Sequence, residues 1–451
     1  MRRLSWLALA GLIAALIPAT AADAAPGWQL RVDKVSLVPG AATKFFRASV
    51  QTPPADPPPD FTVVFDVAAA NRIAVIAAPD VCRTTATTIT CPDSESEFYD
   101  TPFEASARPG AAIGATASVP VRVVSGGRTV ARSVGRVTIA EAVDLAAVDA
   151  QDDLAIATGA TAGIAAGVRN AGDRPVTGIV LRFATVRGFA VVAYRNCLPV
   201  DYGVACQFDD TLPPGAELHL ATPLAVTATN AVWAPSQWPA SISWLPAQDY
   251  ADGGGTLPIR GTGPALTLVA PPAAVAARAQ TDPVPNNNFD TWNIAVTGSN
   301  RANITARGAV VRGAVGATVT ARVGVRNNGP ARLEGYGALQ GSYLTVTVTP
   351  PPGTTVVGVP RFCEQFNMDS PLPPPWPPGA GFGDGNYYCF TDNNTYAILP
   401  GQTVSWDFRL RIDRAGSHRG AIKTEVIGPA GAPPGDPDPA DDSAPIVVTA
   451  R

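Results

Sequence analysis

The chain has 451 residues, of which only 16 % are charged, and its formal net charge at pH 7 is −4. Its 33 Lys and Arg residues form no basic cluster, which excludes a surface that tracks nucleic-acid phosphates. The 42 Gly and 45 Pro residues separate short runs rich in Val and Thr, and this composition predicts strands joined by tight turns.

The first 24 residues have the pattern of a secretory signal peptide. Arg2 and Arg3 precede an uncharged apolar run that ends at Ile17, and the segment Ala22-Asp23-Ala24 offers small residues to signal peptidase. The apolar run is shorter than the ~20 residues that span a bilayer, although an uncleaved N-terminal anchor is the alternative. We expect an extracellular, secreted protein that begins at Ala25 and has no transmembrane segment in the mature chain.

The mature chain of 427 residues (451 minus 24) is long enough for two to four domains of ~100–200 residues each. Two of its segments resemble each other, IAAGVRNAGD at 164–173 and ARVGVRNNGP at 321–330. Asn170 and Asn327 lie 157 residues apart, and alternate apolar residues before them align at the same offset. The repeat therefore predicts a strand followed by an Asn-X-Gly turn, which is scaffold rather than an active site.

Six cysteines follow the repeat in the same order. Export places them where disulfides persist, and six cysteines allow 15 pairings. The repeat alignment selects one pairing, in which each bridge staples a local loop instead of linking the two sheets. The predicted bridges are Cys82–Cys91, Cys197–Cys206 and Cys363–Cys389.

Further landmarks define three modules, at about 25–143, 144–298 and 299–451. A Pro-Gly turn leading into an alternating strand recurs after each cysteine pair, and Asp-Pro-rich loops precede the last strand of the second and third modules. The first module diverges most, because a proline-rich loop replaces the Asn-X-Gly turn. We predict an all-β protein of three Ig-like β-sandwich modules in tandem after the signal peptide.

The third module carries VRNNGP, PPGTTVV, a cysteine pair, LPGQTVSWDFRLRI and DPDPADD in that order. This pattern resembles the conserved-repeat domains of bacterial surface proteins, which are Ig-like modules related to the bacterial cell-adhesion-related domain. The resemblance implies an extracellular stalk, spacer or adhesion role and carries over no catalytic residues. Many relatives end in a sorting motif, a hydrophobic helix and basic residues, whereas this sequence ends in PIVVTAR.

The second module contains an aromatic segment that has two interpretations. Aromatic rings can stack on sugar faces or form a binding hot spot, which would make a carbohydrate- or protein-binding module. Large aromatic side chains also fill sandwich cores, and exposed rings would favour binding whereas buried rings would contradict it. The residues concerned are Trp233, Trp238, Trp244 and Tyr250.

An acidic loop in the third module is a weak candidate for a calcium site, since carboxylate oxygens are ligands for that ion. The alternative is a turn, in which Asp side chains cap local backbone groups. The matching loop at 282–290 has Asn at three positions, which weakens the case for a shared metal site. The acidic residues are Asp436, Asp438, Asp441 and Asp442.

No other group of residues predicts chemistry. His219 and His418 are the only histidines, one on an alternating strand and one in a loop, whereas acid–base or metal chemistry needs several convergent groups. Lys44 is the one lysine that suits a self-formed isopeptide cross-link, which needs an Asn or Asp beside it in an apolar core. We expect a non-enzymatic protein without cofactors, whose partner would be a cell-wall glycan or a surface protein.

Overall fold

The computed structural model describes residues 25–53, 59–93, 98–148, 152–200, 202–269, 279–333, 342–365, 385–390, 397–433 and 435–451. The predicted signal peptide lies outside these residues. In the part that is described, no helix is long and apolar enough to cross a bilayer. The described chain forms three β-sandwiches in sequence order, as the turn-rich composition predicts.

The first sandwich pairs a four-stranded sheet, in the order β1-β3-β8-β5, with a six-stranded sheet, in the order β2-β10-β9-β4-β7-β6. Its strands are β1 (Gln29–Val32), β2 (Lys34–Leu37), β3 (Lys44–Gln51), β4 (Phe61–Asp66), β5 (Ala74–Ala77), β6 (Arg83–Thr84), β7 (Thr88–Asp93), β8 (Phe98–Ala107), β9 (Thr116–Ser125) and β10 (Arg128–Ile139). A short 3₁₀ helix, Ala70–Arg72, precedes β5.

The second sandwich starts with a two-residue strand, β11, that also takes part in its junction with the first. Its elements are β11 (Glu141–Ala142), β12 (Leu145–Val148), β13 (Leu154–Ala157), β14 (Thr161–Ile164), β15 (Gly167–Asn170), β16 (Val176–Ala184), β17 (Phe189–Val191), β18 (Cys197–Val200), β19 (Gly203–Leu212), β20 (Glu217–Leu220), β21 (Leu224–Ala228), β22 (Ser236–Pro246), α1 (Ala247–Asp252), β23 (Leu268–Val269), β24 (Gln280–Thr281), a 3₁₀ helix (Pro285–Asn287) and β25 (Phe289–Thr297). The six-stranded sheet has the order β13-β25-β22-β16-β19-β18, and it faces two smaller sheets, β12-β15-β20-β23 and β14-β21-β17.

The third sandwich repeats the plan of the first. Its strands are β26 (Ile304–Arg307), β27 (Ala309–Gly313), β28 (Thr318–Asn327), β29 (Tyr343–Thr349), β30 (Thr354–Gly358), β31 (Cys363–Gln365), β32 (Tyr387–Cys389), β33 (Thr403–Ile412), β34 (Gly416–Ile427) and β35 (Ser443–Ala450). They form the sheets β26-β28-β33-β30 and β27-β35-β34-β29-β32-β31.

All three sandwiches divide their N-terminal segment between the two sheets. The first part pairs antiparallel in the smaller sheet, and the second part pairs in parallel with the last strand of the unit, as in β2 with β10, β13 with β25 and β27 with β35. Two packed sheets with this strand order are the Ig-like arrangement, so the predicted fold class is confirmed.

Alternation builds the core, because side chains on successive strand residues point to opposite faces. In β33 the even-numbered residues from Trp406 to Ile412 are buried and the odd-numbered ones are exposed. One apolar cluster lies within the first sandwich. A second cluster is continuous through the second and third sandwiches.

The repeated Asn-X-Gly turn has the same three side-chain hydrogen bonds in both places, and Asn327 Oδ1 also accepts from Asn303 N at 3.3 Å. The Asn170 amide donates to Arg174 O (2.7 Å) and Leu212 O (2.8 Å), and its Oδ1 accepts from Gly172 N (3.0 Å). The side chain is fully buried, and its bond to Leu212 O connects the turn to the strand before the Pro-Gly turn. The repeat is therefore structural, as the sequence predicted.

Asn327 makes the matching contacts in the third sandwich, to Ala331 O (2.8 Å), Ile398 O (3.0 Å) and Gly329 N (3.0 Å). The backbone of the same residue accepts from Gly401 N at 2.7 Å. Gly401 has a φ of +79°, which an L-residue rarely adopts, so the Pro-Gly turn and the Asn-X-Gly turn form one connected unit.

A polar junction joins the first and second sandwiches. Lys44 Nζ lies 3.2 Å from Asp249 Oδ1 and 3.4 Å from Oδ2, and it also donates to the Thr281 hydroxyl. Asp249 Oδ2 accepts from Asp282 N at 2.9 Å, so one carboxylate on α1 holds groups from both sandwiches. Strand β11 extends this junction by pairing in parallel with β24.

An apolar junction joins the second and third sandwiches. Trp233 is 1 % exposed, and a Cβ placed on Gly428 would lie 3.4 Å from its ring. Two backbone hydrogen bonds cross beside it, from Gln237 N to Ala430 O (2.7 Å) and from Arg332 N to Ala231 O (2.9 Å). The two cores meet here, which explains why a single cluster runs through both units.

Candidate functional site

The aromatic segment predicted as a possible binding surface is buried. The residues at even positions of β22 face the core, and Trp238 and Trp244 are two of them. The exposed fractions of Trp233, Trp238, Trp244 and Tyr250 are 1 %, 3 %, 0 % and 7 %. The interpretation as an exposed aromatic surface is therefore wrong, because all four rings are buried and leave no face for a ligand. Strand alternation accounts for the burial of Trp238 and Trp244.

Each of the four rings lies in an apolar cluster, and Trp238 belongs to the one that runs through the second and third sandwiches. Trp244 packs near Phe208, with ring centroids 6.1 Å apart, and Trp233 fills the apolar junction with the third sandwich. Tyr250 lies on α1 and packs with Val180 and Ile259 on the other face of the six-stranded sheet.

The three disulfides join Cys82 to Cys91, Cys197 to Cys206 and Cys363 to Cys389. In the second and third sandwiches the bonded residues lie directly opposite each other on neighbouring antiparallel strands. Each bridge thus staples a hairpin within one sheet, which is the pairing that the repeat alignment predicts. These cysteines hold structure and offer no nucleophile.

The two histidines lie in different sandwiches. His219 is on β20 with its Nε2 4.0 Å from Glu217 Oε2, and both side chains are more than two-fifths exposed. His418 Nε2 lies 2.9 Å from Arg414 O, and its ring covers Gly353, where a Cβ would meet the ring at 2.8 Å. His418 thus supports a turn, and the distance between sandwiches separates it from His219.

Lys44 lies in the polar junction and not in an apolar core. Its side chain is 24 % exposed and pairs with Asp249 as an ion pair between sandwiches. The isopeptide interpretation needs an apolar surrounding, so the structure favours the ion pair. Sequence reasoning missed this contact because the two residues are 205 positions apart.

Three residues of the acidic loop come together. Carboxylate oxygens of Asp436, Asp441 and Asp442 all lie within 4.8 Å of one another, whereas Asp438 is outside this group. Asp436 Oδ2 accepts from Ile304 N at 2.5 Å and its Oδ1 accepts from Asp438 N at 2.8 Å. Asp436 therefore ties the loop to the first strand of its own sandwich, as the turn interpretation expects.

We call this arrangement, in which one Asp side chain binds the backbone of its own loop and of the first strand, a clamp. The second sandwich has the same clamp, but the neighbouring side chains differ. Asp282 Oδ2 accepts from Leu145 N at 2.7 Å and its Oδ1 accepts from Val284 N at 2.7 Å. The segments DPVPNNN (282–288) and DPDPADD (436–442) align residue by residue, so Asn288 corresponds to Asp442. Asn288 donates its amide to Asp282 Oδ2 at 3.1 Å, whereas an ionised Asp442 has no proton to donate.

Comparisons with known proteins leave the family open. No family model matches the chain, and no curated protein matches it. Among solved structures, one similar chain is a protein from Corynebacterium diphtheriae provisionally described as membrane-anchored, with 10 % identity and a TM-score of 0.21 over 93 % of this chain and 91 % of that one. Another is the complex of Dpr2 Ig1-Ig2 with DIP-Theta Ig1-Ig3, with 9 % identity and a TM-score of 0.21 over 94 % and 99 %. Titin domains I67–I69 give 7 % identity and a TM-score of 0.18 over 94 % and 98 %.

Burial raises the pKa of both clamp carboxyls, Asp282 and Asp436. The two clamps differ in their neighbours, because the Asn288 amide donates to Asp282 whereas the carboxyls of Asp441 and Asp442 lie beside Asp436. Burial raises the pKa of Asp436, and the neighbouring charges of Asp442 and Asp441 raise it further. Burial also raises the pKa of Asp442, with added repulsion from Asp441 and Asp438. A pKa above that of the unfolded chain means that the folded state prefers the protonated acids. This stabilisation is present below the unfolded pKa of about 3.9 and is lost as the pH rises through the folded pKa.

Replacing Asp442 by Asn, the residue of the second sandwich, should stabilise the third sandwich at pH 7. The new amide can donate to Asp436, and a hydrogen bond to a carboxylate contributes about 1.5 kcal/mol. We expect the melting temperature of the transition that includes this unit and the second sandwich to rise by about 2–3 °C, and the gain to shrink as the pH falls toward 4, where Asp442 takes up a proton. Calorimetry at several pH values measures both effects.

Asp438→Asn is the matched control, because it removes one charge from the same loop at a position that corresponds to Val284. It should have the smaller effect. The melting temperature in the presence of calcium tests the alternative, a cation site. If calcium raises the melting temperature of the wild type by several degrees and Asp442→Asn removes that rise, the loop binds a cation and the clamp interpretation is wrong.

Proposed function

We propose that the chain is an exported, non-enzymatic protein of the cell envelope that acts as a structural spacer or adhesion stalk. Its units would be 25–143, 144–298 and 299–451, in series. The observation that carries this proposal is that both junctions consist of direct contacts, one centred on Lys44 and Asp249 and the other on Trp233. Sandwiches joined in this way hold their outer loops at a fixed distance from one another.

The residue types that most often carry catalysis or binding have structural roles here, which supports this proposal. In the described part of the chain, the cysteines staple hairpins, the aromatic segment fills cores, and the Asp-Pro loops clamp first strands. Binding, if present, would then use surface loops and strand edges carried on a rigid frame. The carbohydrate- or protein-binding alternative needs exposed rings in the aromatic segment, and these rings are buried.

The processing of the N-terminus tests the exported part of the proposal. Edman sequencing or mass spectrometry of the secreted protein should give Ala25 as its first residue, because Ala22 and Ala24 occupy the small-residue positions before that bond. Replacing Ala24 by Arg should block cleavage and leave a longer, membrane-associated species. Recovery of intact chain with Met1 from wild-type membranes would contradict export by cleavage.

Small-angle X-ray scattering tests the spacer part. Strands of about ten residues at ~3.3 Å per residue make each sandwich about 30 Å long, so three in series should reach on the order of 100 Å. Lys44→Ala should broaden the distance distribution at the first junction while leaving the three units folded. A compact particle, or a wild type as flexible as the variant, would count against a rigid spacer.

A further inference from the structure

A groove of about 700 Å³ runs along the second sandwich between the outermost strands of two of its sheets. Residues 186–194, 197–200 and 202–204 form most of it, where the chain leaves the six-stranded sheet for β17 and returns to it at β18. Both β17 and β18 are outermost strands of their sheets. The groove is distinct from the acidic loop and from the buried aromatic segment.

The β17 wall of the groove presents unpaired backbone. Val192 N donates to Ala225 O at 3.1 Å, and Thr229 N donates to Gly188 O at 3.0 Å. The backbone N–H and C=O groups of the even-numbered residues therefore face β21. In an antiparallel ladder the polar groups alternate sides, and those of Phe189 and Val191 therefore point away from β21. Among the residues that the structure describes, no strand pairs with this edge.

Apolar side chains lie beside this free edge. Val192, Leu198 and Tyr202 are 45 %, 36 % and 52 % exposed, and all three line the groove. An exposed apolar strand edge promotes pairing with another chain, and proteins commonly cover or charge such edges. Here the edge borders a concave surface, which suits an added strand whose alternate side chains enter the groove.

The charge of the groove selects the partner. Arg187 and Arg260 line it, and none of its described lining residues is a carboxylate; Asp201, between Val200 and Tyr202, lies outside the described residues. The Arg187 guanidinium carbon lies 5.0 Å from the centroid of the Tyr202 ring, a cation–π contact that holds the charge in place. A partner with carboxylates spaced along an extended backbone would complement these two cations.

We propose that this groove binds an extended acidic peptide segment of another protein, which adds as an antiparallel or parallel strand to the free edge of β17. Apolar residues on one face of the segment contact Val192, Leu198 and Tyr202, and its carboxylates pair with Arg187 and Arg260. The site would supply the adhesive contact of the proposed stalk, so its biological role rests on the proposed function. Binding by the purified chain is measured independently of export and of particle length, so the two proposals can fail separately.

The test uses the mature chain, residues 25–451, and a fluorescein-labelled ten-residue peptide in which valine alternates with aspartate and threonine. Fluorescence anisotropy should show saturable binding that weakens as salt increases, because exposed charge pairs are screened. The double variant Arg187→Glu/Arg260→Glu should bind at least about tenfold more weakly, equivalent to 1.4 kcal/mol. The matched control is Arg307→Glu/Arg312→Glu, which makes the same charge change on exposed residues of the third sandwich and should leave affinity unchanged.

Two N-methylated peptides test strand addition without altering the protein. Methylation of the valine amides and methylation of the remaining amides block opposite edges of the peptide, so one of the two should lose binding and the other should keep it. Hydrogen exchange should slow in fragments that cover 186–204 when the unmodified peptide is bound. Equal binding by both methylated peptides, an unaltered affinity in the Arg187→Glu/Arg260→Glu variant, or binding in this groove of chitohexaose but not of the peptide would overturn the proposal.

Discussion

Replacing Asn327 by alanine should destabilise the third sandwich by about 3 kcal/mol or more, since each buried polar group left without a partner costs about 1–3 kcal/mol. The substitution removes the two bonds to Ala331 O and Ile398 O and the bonds that Oδ1 accepts from Gly329 N and Asn303 N. The side chain is fully buried, so water cannot replace it without opening the turn. Asn170→Ala should have the same effect on the second sandwich.

Urea unfolding followed by tryptophan fluorescence and by calorimetry measures this effect. Asn328→Ala is the control in the same turn, because that side chain is exposed and bonds to Thr305 and Arg326 at the surface. Asn327→Asp should be as harmful as alanine, since it keeps the acceptor but loses both donated bonds and buries a charge. A loss below about 1 kcal/mol for Asn327→Ala would show that the turn forms without its buried amide.

Replacing Trp233 by alanine should separate the unfolding of the second and third sandwiches. In the wild type we expect two calorimetric transitions, one for the first sandwich and one joint transition for the other two, because a single apolar cluster joins them. Truncating a buried Trp costs about 3–5 kcal/mol, and here the cavity opens at the junction. The joint transition should fall in temperature and divide into two.

Trp244→Ala is the matched control, because that ring is fully buried within the second sandwich near Phe208. It should lower the joint transition by a similar amount and leave the third sandwich coupled to it. A Trp233→Ala variant that keeps one undivided transition would show that backbone bonds such as Gln237 N to Ala430 O are sufficient to couple the units.

Features encoded over short distances could be predicted from the sequence. The buried amides of Asn170 and Asn327 and the hairpin bridges follow from turn residues and spacings that recur along the chain. The alignment of DPVPNNN with DPDPADD also locates the clamp, because the first Asp of each segment, Asp282 or Asp436, accepts the bond from the first strand. The sequence comparison showed Asn residues in the matching loop, but it did not show that Asn288 is the one that donates to Asp282.

Features that depend on distant parts of the chain could not be predicted in this way. The position of Trp238 and Trp244 six residues apart on one strand fixes that they share a face, but the face that is buried depends on the opposing sheet. The ion pair of Lys44 with Asp249 joins two sandwiches and has no local signal. The groove lies in a segment, 186–204, that combines edges from two sheets, so its shape exists only in the folded unit.

The parallel pairing of an N-terminal strand with the last strand of every sandwich determines how the molecule carries mechanical load. In the third unit, Ala309–Gly313 pairs in parallel with Ile446–Ala450. Pulling the N- and C-terminal ends apart moves these two strands in opposite directions along their own axes, so their hydrogen bonds are strained together in shear and do not open one after another. A tether built from three such units in series would resist extension until one of these strand pairs ruptures as a whole.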